Sequence, residues 1–128
     1  MILTKSILYL EVRKGLIKAT ELKSGRTTTK ISKALTHPRS LMGDFFGVTK
    51  CIESIVKELS PKKFLSGPTT IIIHLLENGD GGFTNVETRA FKEAALSAGG
   101  QRIKFPNKPI VLNKDELLSG NFSCLDNI

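Results

Sequence analysis

In the strand-like stretch Thr70-Ile71-Ile72-Ile73-His74-Leu75-Leu76, the run Ile71–Leu76 is apolar at odd and even positions alike, interrupted only at His74. A strand with that pattern has no face to offer to water, so it belongs in the middle of a sheet with helices packed on both sides. Whatever else the chain forms must therefore supply a sheet around this strand and helices to cover it. At 128 residues there is room for one core, since domains cluster at about 100–150 residues. The expected organisation is a single domain over residues 1–119 and a tail over residues 120–128.

The N-terminal third supplies the rest of the sheet. Ser6–Val12 and Leu16–Leu22 are two strand-like runs separated at Lys14-Gly15, which predicts a hairpin. Ser24-Gly25-Arg26 marks a second turn, and the β-branched run Thr27-Thr28-Thr29-Lys30-Ile31 a third strand. These make an antiparallel three-strand meander, and the apolar strand joins it in parallel. Ala34–Met42, which contains Pro38, reads as a connection across the sheet.

Two helices provide the cover. Asp44 is placed to cap a helix over Phe45–Leu59, in which Phe45, Val48, Ile52, Ile55, Val56 and Leu59 recur at three- and four-residue steps. Pro61 ends it, and Lys57, Lys62 and Lys63 suit its negative end. After the loop Glu77–Asn85, the pair Thr84 and Glu87 has capping-box spacing, Phe91, Ala94, Ala95 and Ala98 form a buried stripe, and Gly99-Gly100 closes the helix. Ile103–Phe105 is one more short strand, Asn113–Leu118 a short last helix, and the chain from Gly120 a loose tail. By this reading Phe46 and Phe91 both belong to the core.

Composition excludes several classes. With 40% hydrophobic and 24% charged residues the chain is ordinary and globular, and no segment approaches the roughly 20 apolar residues that span a bilayer. Met1-Ile2-Leu3-Thr4-Lys5 lacks the pattern of a secretory signal, so a cytoplasmic setting is expected. Cys51 on a helix face and Cys124 in the tail form no disulfide framework. His37 and His74 are too few to ligate a metal, and His74, inside an apolar strand, reads as a hydrogen-bonded core histidine. Ser66 and Ser97 have no triad partners at recognisable spacing. Asn78-Gly79-Asp80-Gly81-Gly82 is too short and too poor in carboxylates for a calcium loop and reads as a flexible connection. The net charge of +7 is dispersed and accompanied by one Tyr and no Trp, which leaves nucleic acid as an alternative partner without a base-stacking surface.

Three short motifs in fixed order carry a family resemblance. Asp44-Phe45-Phe46 opens one helix, Val86-Glu87-Thr88-Arg89-Ala90 opens the next, and Ala98-Gly99-Gly100 closes it. Over residues 6–110 the order resembles the first subdomain of the MreB and actin family. The resemblance implies an α/β, ribonuclease-H-like fold (an actin-like ATPase subdomain): a three-strand antiparallel meander extended by parallel strands, with helices packed on the sheet. In that family the first hairpin carries an Asp-Leu-Gly-Thr turn that cradles phosphate, and a Glu-Glu-Pro segment holds the catalytic glutamate.

The matching positions here differ. The turn reads Glu11-Val12-Arg13-Lys14-Gly15: Glu11 keeps a carboxylate, Arg13 stands where close backbone approach needs glycine, and Lys14 is a solvent-exposed turn lysine. The catalytic segment reads Pro106-Asn107-Lys108-Pro109, and neither Asn107 nor Lys108 can act as a base on water at neutral pH. The second half of the family's ATP site has no counterpart in these residues. The resemblance thus implies a non-catalytic module with no cofactor and no metal, acting through a protein partner or self-association at the exposed edge of the meander. The alternatives are a small basic nucleic-acid-binding protein and a vestigial nucleotide sensor.

Overall fold

The computed structural model describes residues 6–36, 42–60, 69–76 and 85–125. Strands β1 (Ser6–Arg13) and β2 (Leu16–Glu21) pair antiparallel. Their two-residue turn depends on Gly15, whose φ of 79° lies in the left-handed region that such hairpin loops demand. Glu21 holds the next turn by accepting from the backbone N–H groups of Lys23 and Ser24 at 3.1 and 2.8 Å. Strand β3 (Thr27–Ile31) then returns antiparallel to β2. Strand β4 (Thr69–Leu75) lies parallel to β1, with Leu8 opposite Ile71 and Leu10 opposite Ile73, and β5 (Arg102–Lys104) lies parallel to β4. The result is one mixed five-stranded sheet in the order β3-β2-β1-β4-β5.

Helix α1 (Phe45–Leu59) begins where the Asp44 carboxylate accepts the Gly47 N–H at 3.2 Å. It buries Val48, Ile52, Ile55, Val56 and Leu59. Helix α2 (Asn85–Ser97) buries Phe91, Ala94 and Ala95, and Ala98 follows them into the core. Both stripes pack on Leu8, Leu10, Val12, Ile17, Ala19, Ile71, Ile73 and Leu75, the residues of one sheet parity. The alanines let α2 approach α1 closely. At the end of α2 the chain presses onto β4, since a Cβ on Gly100 would meet Ile71 Cδ1 at 2.7 Å.

The opposite face carries a second, smaller cluster of Tyr9, Leu22, Ile72, Leu112 and Leu117, with Ile7 and Phe122 against it. Its cover is helix α3 (Lys114–Ser119) and the chain leading into and out of it. The two-sided burial expected of the apolar strand is thus met by α1 and α2 on one side and the C-terminal segment on the other. Among the described residues no helix is long and apolar enough to cross a membrane.

Three details depart from the sequence reading. The chain after Gly120 is tied down: Leu125 N–H donates to Phe105 O at 2.8 Å, Asn107 N–H donates to Ser123 O at 2.8 Å, and Pro106 bridges Cys124. Backbone pairing, which composition does not report, holds a segment that composition reads as loose. Phe46 is 75% exposed while Phe91 is fully buried, because position 46 falls on the outer side of α1 one residue from the half-buried Phe45. Within the connection that follows β3, Lys33–Leu35 forms a short 3-10 turn capped by Ser32 and buries Leu35. His37, Pro61, Ser66, Thr84 and the glycines 79, 81 and 82 lie outside the described residues.

Candidate functional site

Alternation along β1 sends Tyr9, Glu11 and Arg13 to the α3 side of the sheet, and alternation along β4 sends Ile72 and His74 there. Register then makes neighbours: Glu11 stands opposite His74 on one side and Lys18 on the other. Polar residues that the sequence reading took separately thereby form one row across the second face.

His74 is fully buried, and both of its ring nitrogens are engaged. Nε2 lies 2.7 Å from the backbone oxygen of Lys108. A carbonyl only accepts, so Nε2 carries a proton. Nδ1 lies 2.6 Å from Tyr9 Oη. In the neutral ring this nitrogen accepts, so the tyrosine donates. Tyr9 Oη in turn accepts the Leu112 N–H at 3.1 Å. The relay therefore runs from the Leu112 amide through the Tyr9 hydroxyl and the His74 ring to the Lys108 carbonyl, with every donor matched to one acceptor.

The electrostatics agree with that assignment. Burial pushes the His74 ring below its ordinary 6.5, against the opposing pull of its bond to Lys108 O and the nearby Glu11 charge. Burial also pushes the Tyr9 hydroxyl up to about 12, partly countered by the Leu112 amide. Both groups are neutral at physiological pH. A relay of two neutral groups held this firmly joins the C-terminal segment to the sheet, and it fulfils the expectation that His74 is a hydrogen-bonded core histidine.

Of the positions matched to the family's phosphate turn and catalytic segment, Glu11, Arg13 and the Lys108 carbonyl meet at this row. Glu11 is 7% exposed, and its Oε1 receives Arg13 Nη1 at 3.5 Å, a long contact. Lys14 is exposed at the hairpin tip. The Gly15 N–H, the group that a phosphate-binding turn would present, donates instead to Leu35 O at 3.1 Å. On the other side, Lys108 gives its carbonyl to His74 and its ammonium to Glu116 at 3.1 Å, while Asn107 gives its N–H to Ser123. The Asn113 backbone N–H, and after it the bond from Lys108, lower the Glu116 carboxyl below its usual range.

Sequence reasoning missed Tyr9 and the α3 capping box, in which Asn113 and Glu116 exchange side-chain-to-backbone bonds at 2.8 and 3.1 Å. The box was readable from the Asn-x-x-Glu spacing. Glu87, expected in a capping box with Thr84, is buried and accepts the Met42 N–H at 3.4 Å. Beside the row, a pocket of about 180 Å³ opens between the β1–β2 surface and α3, with Glu11 and Tyr9 in its lining. Among the described residues no group of three or more His, Cys, Asp or Glu side chains is placed to hold a metal.

No protein-family model matches the chain. Over 98 residues it is 30% identical to the uncharacterized protein YjaA of Escherichia coli (strain K12), a match that spans 73% of this chain and 76% of the relative. With identity at that level over about three quarters of both proteins, the chain belongs to the same family as YjaA.

Proposed function

We propose that this member of the YjaA family is a non-catalytic, MreB-like interaction module of the cytoplasm, built on one ribonuclease-H-like subdomain, which assembles with a protein partner or with its own copies. The observation that carries the reading is the outer edge of β3. Among the described residues no strand pairs beyond it, and its outward positions Thr27, Thr29 and Ile31 are exposed, Ile31 at 85%. An unpaired edge of β-branched residues is a template for strand addition. The element order, an antiparallel meander followed by helix and parallel strand twice, supports the subdomain assignment. The engagement of Gly15, Arg13 and Lys108 within the protein supports a module that has given these positions to structure.

Light scattering over a range of protein concentration and salt, with and without magnesium-ATP, tests the reading. Assembly that ignores ATP, resists salt and is lost in Thr29→Lys or Ile31→Lys agrees with it. A monomer at every concentration that also captures no protein partner would sink it. Stabilisation by nucleotide, about 2.7 kcal/mol at 100 times its Kd, would favour the sensor alternative. Oligonucleotide binding that weakens steeply with salt would favour the nucleic-acid alternative.

A further inference from the structure

We infer that the pocket between β1, β2 and α3 is a binding site for a small zwitterion with a compact aliphatic body, an ammonium and a carboxylate on one carbon being the simplest case. The floor comprises Tyr9, Glu11 and Thr20, and Leu22, Leu112 and Leu117 form its apolar walls. Lys114, which is exposed, stands at the rim. Its volume of about 180 Å³ is close to that of an apolar cavity able to hold benzene, so the body it accommodates has about six to ten heavy atoms.

Charge decides the head group. Glu11 is 7% exposed, and a carboxylate kept that far from water calls for donors. Arg13 reaches its Oε1 at 3.5 Å, the long end of a hydrogen bond, and a carboxylate has lone pairs for further donors. Tyr9 Oη donates to His74 and accepts the Leu112 N–H, so it is committed to the relay, and Glu11 is the floor's one charged acceptor beside the Thr20 hydroxyl. A donor-bearing ammonium fits the floor. A simple cation does not fit the surroundings, because Arg13, Lys18 beside Glu11 in register, and Lys114 make them positive. A simple anion would meet the buried Glu11. A molecule with its ammonium on Glu11 and its carboxylate towards Lys114 satisfies both ends, and the leucine walls take its aliphatic part.

Calorimetric titration with leucine, 3-methylbutylamine and 4-methylpentanoate tests this on the whole chain. Leucine should saturate one site, and each analogue should bind about tenfold more weakly, the effect of losing one charged hydrogen bond. Lys114→Gln, at an exposed position, should erase the difference between leucine and the amine. Glu11→Gln should erase the difference between leucine and the acid. Leu117→Phe, verified as folded by circular dichroism, should fill the pocket and abolish binding. The inference is overturned by the absence of saturable binding for any aliphatic amino acid at millimolar concentration, by an amine that binds as well as leucine, or by binding that survives Leu117→Phe. Assembly through β3 has its own readout in solution mass, so either idea can fail without the other.

Discussion

Tyr9→Phe removes one oxygen and keeps the ring, so the stability it costs measures the relay. Two partners are stranded: His74 Nδ1, 2.6 Å from the lost oxygen, and the Leu112 N–H, 3.1 Å from it. Each buried group left without a partner costs about 1–3 kcal/mol. Removing the hydroxyl returns its own desolvation, an offset on the order of 1 kcal/mol. The net loss is about 1–5 kcal/mol, a large share of the roughly 5–15 kcal/mol by which domains are stable. Urea denaturation at mildly alkaline pH should show a lower midpoint with an unchanged slope. His74→Leu removes the other end of the bond, and the double variant should be less destabilised than the sum of the singles by about 0.5–3 kcal/mol. A loss below about 0.5 kcal/mol for Tyr9→Phe, or strict additivity in the cycle, would refute the relay as a source of stability.

Acid should weaken the fold through His74. Its folded value lies below the ordinary 6.5, so the stability held by the neutral ring is complete above 6.5 and is lost as the pH falls from there through the lower folded value; urea midpoints should follow that course, and His74→Leu should flatten it. Asp44→Ala removes the cap on Gly47 N–H and should cost about 0.5–2 kcal/mol by the same assay. Phe46→Ser should change stability by less than about 0.5 kcal/mol, whereas Phe91→Ala should cost about 3–5 kcal/mol. Equal losses at the two phenylalanines would contradict the exposure of Phe46.

What could be read from the sequence was whatever obeys a short period. The stripe Val48, Ile52, Ile55, Val56 and Leu59 announces α1, the double-sided run at Ile71–Leu75 announces a central strand, and Gly15 announces the hairpin, because each depends on residues within a few positions. Phe46 was misread because two adjacent phenylalanines cannot both face inward at about 100° per residue, and the pair alone does not say which one does. The chain after Gly120 was misread because its ties are backbone bonds to Phe105 and Asn107, which leave no trace in side-chain pattern.

The row of Tyr9, Glu11 and His74 lies between these cases. Parity along β1 places Tyr9 and Glu11 on one face, and parity along β4 places His74 with Ile72, but only the parallel register of the two strands sets Glu11 opposite His74. The partners that complete the relay are a carbonyl at position 108 and an amide at position 112, groups every non-proline residue possesses and no sequence distinguishes. The same bonds that hide the relay from sequence explain why the C-terminal segment stays on the second face despite a small apolar cluster there. Tyr9 and His74 fix the backbone at both ends of residues 108–112, and α3 follows directly through its Asn113 cap. The pocket wall formed by Leu112 and Leu117 is thus positioned by the relay, so Tyr9→Phe should loosen the pocket as well as the fold, and leucine affinity in that variant should fall even where the protein remains folded.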